Sequence, residues 1–250
     1  MAWVKDEIGR SVGLPEALGG IPLDELGATG YGIAAAAEVA QDFCDVKLNG
    51  ATVAIQGFGS VGMHSAKFLA RSGTILVAAA DSKGTVYDPD GLDVEALIEL
   101  KHGGGSVMDY PRGKKLSAPD IVSIPCDIWI PAARPDVITK DNVASMQTRL
   151  ILQGANIPAT AEAESALHAA GILCLPDFIV NAGGVICAAM EYQGLGEAIA
   201  FDTIRAKVAA NTRIVLQEAK QSGKLPREAA IDLARQRVTA AMGTRRFSLY

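Results

Sequence analysis

A glycine-rich turn between an apolar strand pattern and a helix pattern constrains the fold of this chain more than any other feature. Residues Gly57–Gly62 read G-F-G-S-V-G, and the β-branched and apolar run Thr52–Gln56 stands directly before them. A helical pattern over Val61–Arg71 follows, and a second apolar run, Thr74–Ala80, ends at Asp81. This order of strand, glycine turn, helix, strand and acid predicts a dinucleotide-binding unit; the alternative is a purely structural glycine turn.

Each residue of the turn has a predicted role in binding a dinucleotide. Gly57 would allow the tight turn, Gly59 would let the backbone approach the pyrophosphate, and Gly62 would let helix and strand pack closely. The backbone N–H groups of Ser60 and Val61 would meet the pyrophosphate, because a helix N-terminus offers free donors and a positive dipole end. Simple helix capping by Ser60 is compatible with that role.

The acid at the end of the second apolar run bears on the choice of cofactor. Asp81 follows Gly62 at about the spacing of the carboxylate that accepts hydrogen bonds from the ribose hydroxyls of NAD and repels the 2′-phosphate of NADP. Ser82 and Lys83 come next and could supply donors and a positive charge for that phosphate. We therefore expect NAD as the cofactor, with NADP as the alternative, and we expect Asp81→Ser to raise the affinity for NADP relative to NAD.

Charge and composition exclude several classes of function. The formal net charge of the 250 residues is −5, and no cluster of Lys and Arg predicts a nucleic-acid surface. No apolar run reaches the roughly 18 residues of a membrane span, and early charges exclude a signal peptide. The cysteines are too widely spaced for a metal site and indicate free thiols in a reducing compartment: Cys44, Cys126, Cys174 and Cys187. We expect a soluble, cytoplasmic protein with no bound metal.

Alternating strand and helix patterns predict an α/β fold of the Rossmann type, a doubly wound and mostly parallel sheet with flanking helices and a helical C-terminal extension. We predict one domain, with a helical lead-in (1–46), a core (47–194) and C-terminal helices (195–250). The later predicted strands and helices are Ile128–Ile130, Leu150–Gln153, Ala161–Ala170, Ile172–Leu175, Glu197–Ser222 and Arg227–Met242.

Three local predictions concern the segments between these elements. Apart from a helix over Val94–Lys101, the stretch from Ser82 to Pro119 reads as turns and a loose segment. Thr139 and Thr160 are predicted to cap helices, since threonine is a good N-cap residue. Asn181 is predicted to begin a further helix.

Five short motifs in a fixed order make the prediction more specific. They are A-T-G-Y-G at 28–32, the turn at 57–62, D-I-W-I-P-A-A at 127–133, G-A-N-I-P-A-T at 154–160 and P-D-F-I-V-N-A-G-G-V at 176–185. Together they resemble the nucleotide-binding domain of the glutamate/leucine/phenylalanine/valine dehydrogenases over nearly the whole chain. The fourth motif is similar to that of the glutamate branch.

The resemblance implies further cofactor contacts, each with a plainer alternative. It implies that the Thr29 hydroxyl meets the nicotinamide amide, although threonine could simply cap a helix there. It implies that Ala132 and Ala133 are small because ribose or nicotinamide passes close by, or because the strand end is crowded. Asn156 and Asn181 would contact ribose and nicotinamide, or only serve the junctions between strands and helices.

The family reaction oxidises an amino acid to a 2-oxo acid and ammonia and passes a hydride to the nicotinamide. Its lysines and its aspartate lie on a preceding substrate domain, whose motifs G-G-x-K-G-G and P-x-P-D-x-G-T do not occur in this chain. We therefore expect no catalytic residue here and an inactive chain when it is alone. Ala188 also stands where the family often has a serine that meets the substrate carboxylate.

Two hypotheses about the role of the chain stay open at this point. One is the cofactor half of a glutamate-type dehydrogenase, whose small-molecule substrate is bound through the absent domain. The other is a catalytically silent binding or regulatory paralogue. A third and weaker hypothesis is a different Rossmann dehydrogenase that acts on another acid. The 49% apolar composition predicts a covered surface, either in a homo-oligomer or in association with a larger dehydrogenase.

Overall fold

The computed structural model describes residues 1–244, and a seven-stranded sheet organises them. The strands are β1 (Thr52–Gln56), β2 (Ile75–Asp81), β3 (Gly84–Tyr87), β4 (Lys114–Leu116), β5 (Ile128–Pro131), β6 (Leu150–Leu152) and β7 (Leu173–Leu175). Their order across the sheet is β4-β3-β2-β1-β5-β6-β7. The neighbouring pairs β2–β1, β1–β5, β5–β6 and β6–β7 are parallel, whereas β3 is antiparallel to both β2 and β4. The predicted α/β fold with a mostly parallel sheet is confirmed.

Ten α-helices cover this sheet in the described part of the chain. They are α1 (Ala2–Ile8), α2 (Leu23–Leu26), α3 (Ala28–Ala40), α4 (Ser60–Ala70), α5 (Val94–His102), α6 (Ala161–Ala169), α7 (Asp177–Val180), α8 (Gly183–Tyr192), α9 (Glu197–Ser222) and α10 (Pro226–Gly243). The predicted bounds of β1 and α9 agree with the structure. Residues 245–250 of the predicted C-terminal section lie outside the described residues.

The central strands are apolar on both faces because helical layers cover each face. Side chains alternate between the faces, so Val53 and Ile55 pack into a cluster with α3, α4, α8 and α9, while Ala54 packs into a second cluster with α6. Trp129 of β5 is fully buried in the second cluster, and its indole N–H donates to the Ile121 carbonyl at 3.0 Å. The two apolar faces explain why the strands read as continuous apolar runs.

The order of the strands creates one reversal point. From β1 the chain builds the sheet through β2, β3 and β4 on one side, and it then returns to the other side of β1 with β5. The two strands pair in register, with Gln56 opposite Pro131. Ligands of such sheets bind outside the carboxyl ends of the strands at this switch point. A ligand site is therefore expected at the residues that follow Gln56 and Pro131.

The stretch after β2 was predicted to consist of turns and a loose segment apart from one helix. This prediction is wrong at β3 and β4, which are strands of the sheet. Residues 82 and 83 form a two-residue connection, since Asp81 pairs with Gly84 across an antiparallel hairpin. The polar strand β4 then pairs with β3. Both strands are short, and the sheet edge that β2 offers is what orders them.

Two of the three predicted helix starts are wrong, and one is confirmed. The Thr139 N–H donates to Asn142 Oδ1 at 2.9 Å, and only a short 3₁₀ turn, Val143–Ser145, follows. Asn181 lies between the end of α7 and the start of α8 rather than beginning a helix. Thr160 does cap α6, because its hydroxyl accepts the Ala163 N–H at 3.2 Å.

No helix within 1–244 combines the length and the apolar character that crossing a bilayer requires.

Candidate functional site

The glycine turn connects β1 to α4 at the switch point of the sheet. Gly57 has φ +96°, and a Cβ atom built on it would lie 2.6 Å from the Cβ of Ala133. A Cβ on Gly62 would overlap the carbonyl oxygen of Gly57. A Cβ on Gly59 would meet nothing within 4 Å. The first and third glycines are therefore required by the fold itself, whereas the second leaves open space above the turn.

The N-terminus of α4 faces this open space without a side-chain cap. Gly59 occupies the N-cap position, and no side-chain oxygen accepts from the first turn of the helix. Ser60 is the first residue of the helix rather than its N-cap, and its hydroxyl donates to the Asp24 carbonyl at 2.9 Å. The first N–H groups of a helix have no partner within the helix and, together with the dipole, favour an anion. The local geometry fits a pyrophosphate at the N–H groups of Ser60 and Val61.

A cleft of about 980 Å³ opens beside the turn, between the ends of β1, β2 and β5. Half of the predicted site residues line it: Gly57, Gly59, Asp81, Ser82, Ala132 and Ala133. Lys101, Arg134 and the 3₁₀ segment Ala118–Ser123 also line it. The size of the cleft is in the range of small-molecule and cofactor sites.

Asp81 lies at the cleft, and protein donors meet both of its carboxylate oxygens. Oδ1 accepts from the Lys83 N–H at 2.9 Å and from the Ser106 hydroxyl at 3.0 Å. Oδ2 accepts from the Lys101 ammonium at 2.9 Å and from the Val107 N–H at 3.0 Å. Four donors match the lone-pair capacity of an ionised carboxylate. A ribose hydroxyl would have to share or displace one of them.

The electrostatics of Asp81 follow from these contacts. Burial opposes its charged form, since the side chain is only 11% exposed, but the hydrogen bonds from Lys101, Lys83, Val107 and Ser106 outweigh burial and hold the pKa of Asp81 below its usual range. The carboxylate is thus ionised at neutral pH, and the Lys101 ammonium offsets its charge.

A second group of predicted residues lies on the other side of the glycine turn, beyond β5 and β6. The Asn181 side-chain amide donates to Asn156 Oδ1 at 2.8 Å and to the Gly154 carbonyl at 3.3 Å. Thr29 sits in the first turn of α3 and caps nothing. The Thr29 hydroxyl oxygen lies close to α8, because a Cβ built on Gly184 would be 3.0 Å from it. The fold therefore brings Asn156 and Asn181 into contact and places Thr29 against Gly184, in the helix that follows Asn181.

Three participants were not predicted from the sequence. Lys101 and Ser106 hold Asp81 from positions 20 and 25 residues further along the chain, and no local pattern marks such distant partners. Gln56 lines the cleft at the end of β1, and its buried Oε1 atom has no donor within the described residues. An acceptor without a donor beside a cleft is suited to a ligand hydroxyl or amide. Its position directly before the glycine turn was the available signal.

Comparison with known proteins agrees with this geometry. A family model described as glutamate/leucine/phenylalanine/valine dehydrogenase matches residues 19–246. The glutamate dehydrogenase of Aeropyrum pernix is 38% identical over 264 residues, covering 98% of this chain and 63% of that protein. The NADP-specific glutamate dehydrogenase of Saccharolobus shibatae is 39% identical over 201 residues, covering 77% of this chain and 47% of that protein. The chain thus spans about half to two thirds of the length of these relatives.

A solved structure gives the same result at the level of the fold. The hetero-hexameric glutamate dehydrogenase of Thermus thermophilus, in its Leu-bound form, is similar to this chain with a TM-score of 0.85 and 28% sequence identity. The similarity covers 100% of this chain and 61% of that one.

Proposed function

This chain belongs to the glutamate/leucine/phenylalanine/valine dehydrogenase family, and we propose that it is the dinucleotide-binding part of a glutamate-type amino-acid dehydrogenase. We propose one domain, in which the lead-in 1–46 and the C-terminal helices from 195 onward flank the core 47–194. The proposed reaction is the oxidative deamination of an amino acid to a 2-oxo acid and ammonia. The lysine and aspartate residues of that reaction would be contributed from outside these 250 residues.

One observation carries this proposal: an uncapped helix N-terminus and an open glycine, Gly59, face a cleft at the switch point of the sheet. In the proposed complex the pyrophosphate lies over Gly59 and accepts from the N–H groups of Ser60 and Val61. Gly57 and Gly62 hold the turn, and Ala133 forms the opposite wall. Without a side chain at Gly59, the backbone can approach the phosphates closely.

The two halves of the dinucleotide would lie on opposite sides of the turn. The adenosine half would enter the cleft beside Asp81, Ser82 and Ala132. The nicotinamide half would lie along the cluster of Thr29, Asn156 and Asn181, which offers a hydroxyl and two amides to a ribose and a carboxamide. When bound, the cofactor supplies the hydride acceptor of the reaction, its nicotinamide ring.

We propose NAD as the preferred cofactor, with only modest discrimination against NADP. The negative charge of Asp81 disfavours a 2′-phosphate, but Lys101 already pairs with that charge at 2.9 Å. Ser82 and Lys101 also line the cleft and can donate to a phosphate. The similarity to an NADP-specific relative supports keeping NADP as the alternative.

Parallel calorimetric titrations of the purified chain with NAD⁺ and NADP⁺ test the proposal directly. Saturable binding of one equivalent is the expected result, with NAD⁺ the tighter ligand. The absence of heat for both ligands in a chain that unfolds cooperatively would contradict dinucleotide binding.

A catalytically silent binding or regulatory protein is the second candidate, and Ala188 favours it. The residue stands in α8 where the family often has a serine that meets the substrate carboxylate, and a methyl group cannot donate a hydrogen bond to a carboxylate. Glutamate-dependent reduction of NAD⁺ or NADP⁺ by the longest native form of the protein decides between the two. Turnover supports the dehydrogenase, whereas cofactor binding without turnover supports the silent protein.

We propose that the chain works in an assembly, either a homo-oligomer or a complex with a larger dehydrogenase. Large apolar side chains stand exposed, among them Trp3 at 85% and Val185 at 76%. Exposed apolar surface of this kind marks contact regions. Light scattering coupled to size exclusion tests the idea, and a strict monomer at high concentration would contradict the homo-oligomer.

A further inference from the structure

A buried ionic network joins the C-terminal helix α10 to the ends of β6 and β7. Arg227 of α10 donates through Nε to both oxygens of Glu164, at 2.9 and 2.7 Å. Its Nη2 atom donates to Gln153 Oε1 at 2.8 Å and lies 3.0 Å from Asp177 Oδ1 in an ion pair. The side chains of Glu164 and Asp177 are only 7% and 8% exposed, and that of Arg227 is 23% exposed.

One arginine thus compensates two buried carboxylates. Burial disfavours the cation, but Glu164 and Asp177 outweigh this effect and raise the pKa of Arg227. The planar guanidinium reaches three partners at once, which the single ammonium of a lysine cannot reproduce. Arg227 is therefore the centre of the network rather than a peripheral member.

The network encloses the loop that carries Asn156. Gln153, which is fully buried, stands directly before the loop residues Gly154-Ala155-Asn156. Asp177 reaches the other end of the loop, because its Oδ2 atom accepts the Ile157 N–H at 2.8 Å. Arg227 contacts both Gln153 and Asp177, so one side chain from α10 fixes both ends of the loop.

The backbone at Ile157 shows that the loop is held in place by its surroundings. Ile157 has φ +48°, a left-handed conformation that a β-branched residue adopts only when surrounding contacts enforce it. Its side chain is 59% exposed, so apolar packing does not supply the constraint. Two hydrogen bonds supply it: the Ile157 N–H donates to Asp177, and the Ile157 carbonyl accepts from the Asp136 N–H at 3.0 Å. Of the two, only the bond to Asp177 belongs to the network, and Asn156 is the adjacent residue.

We propose that Arg227 is a positioning residue for the nicotinamide half of the dinucleotide site, acting through Gln153 and Asp177 on the loop that presents Asn156 to Asn181. This inference rests on the proposed function. Its consequence is selective: loss of the network displaces Asn156, while the adenosine cleft on the far side of the glycine turn keeps its shape. The C-terminal helices then contribute to cofactor binding as well as to the packing of the fold.

The test compares two ligands on one variant. Arg227→Lys preserves the charge of the network but cannot hold Gln153, Glu164 and Asp177 together. We expect its affinity for NAD⁺ to fall about tenfold, as measured by calorimetry, while its affinity for ADP, which fills only the adenosine half, stays within twofold of wild type. Faster amide hydrogen exchange in the peptide containing Ile157 is expected alongside.

Arg237→Lys is the matched control, because Arg237 lies on the same helix and makes one exposed hydrogen bond, to Asn211 at 2.8 Å. Neither affinity should change in that variant. If Arg227→Lys does not unfold cooperatively, Asp177→Asn carries the same comparison, since an amide cannot accept on both sides. Equal loss of both affinities, or loss of neither, overturns the inference. A wild-type chain that binds neither NAD⁺ nor ADP refutes the proposed function instead.

Discussion

At the scale of single residues, the first two glycines of the turn should respond differently to the same added methyl group. Gly57→Ala places a side chain at φ +96° against Ala133, and the left-handed backbone alone costs about 1–3 kcal/mol of unfolding free energy. Gly59→Ala has free space but replaces a favourable N-cap residue, so it should cost only about 0.5–1 kcal/mol. We expect Gly59→Ala to weaken NAD⁺ binding nonetheless, because the methyl group occupies the proposed path of the pyrophosphate. Urea unfolding and calorimetry measure the two effects, and wild-type NAD⁺ affinity in Gly59→Ala would exclude pyrophosphate from this position.

Cofactor preference is set, in our proposal, by the pair of Asp81 and Lys101. Asp81→Ser removes a negative charge and frees the Lys101 ammonium at the cleft, so we expect the affinity ratio of NADP⁺ to NAD⁺ to rise by about tenfold, or ~1.4 kcal/mol. The double variant Asp81→Ser/Lys101→Met should return the ratio toward the wild-type value. An unchanged ratio in Asp81→Ser, measured by paired titrations, would remove Asp81 from the ribose pocket.

Asp81 also shows what the local sequence can predict and what it cannot. The spacing after Gly62 predicted where Asp81 would lie, and the structure has it at the cleft. The hydrogen-bond partners of Asp81 could not be predicted, because Lys101, Ser106 and Val107 reach it only through the tertiary packing of α5 and the segment that follows. Spacing along the chain therefore brings a candidate residue to the cleft, whereas its protonation and its free acceptors depend on tertiary contacts.

At the scale of elements, Asp81 connects β2 to the segment that follows α5, through hydrogen bonds from Ser106 and Val107. Its folded-state pKa lies below its usual value, so near pH 4 the unfolded chain binds more protons than the folded chain. The stabilisation by ionised Asp81 is fully present above about pH 5 and is lost as pH falls below the unfolded value of about 3.9.

We therefore expect Asp81→Asn to lower the unfolding free energy at pH 7 by about 1–3 kcal/mol, as for hydrogen bonds to a charged group. The gap to wild type should narrow steadily below about pH 4, since protonated aspartic acid and asparagine are both neutral. Ser106→Ala, which leaves three of the four donors, should show the same trend with a smaller amplitude. Denaturant unfolding across pH 3 to 7 provides the comparison, and parallel stability curves would exclude a role for the Asp81 charge.

Elements were predictable where their own pattern stabilises them. The run at β1 is strongly apolar and the helical pattern at α9 is long, so both patterns were clear in the sequence. The strands β3 and β4 were missed because β3 begins inside a predicted turn and β4 is mostly polar; β3 is ordered by pairing with β2, and β4 by pairing with β3. Thr139 begins no helix for a related reason: the Asn142 side chain accepts from the Thr139 N–H and donates to the Val137 carbonyl, and this local turn is followed only by the 3₁₀ turn Val143–Ser145. Short elements and turns are decided by competition between neighbours.

At the scale of the whole molecule, alternation of strands and helices was sufficient to predict the class of fold and the edge of the sheet at which the cleft lies. It could not predict how α10 returns to β6 and β7, because that contact depends on three side chains from distant segments meeting Arg227. The two apolar clusters on opposite faces of one sheet instead follow directly from the continuous apolar strands. Because the two clusters share one sheet, we expect them to unfold together.

The cysteines report on that cooperativity. Burial raises the pKa of Cys126 and of Cys174 to about 12, and it also raises the pKa of Cys187, which is fully buried on the other face. Since the thiolate is the reactive form, alkylation at pH 8 should require unfolding for all three, whereas the partly exposed Cys44 should react first. With increasing urea, we expect Cys174 and Cys187 to become reactive at the same midpoint, as measured by mass spectrometry after brief labelling. Two separate midpoints would show that the faces unfold independently and would contradict the prediction of one domain.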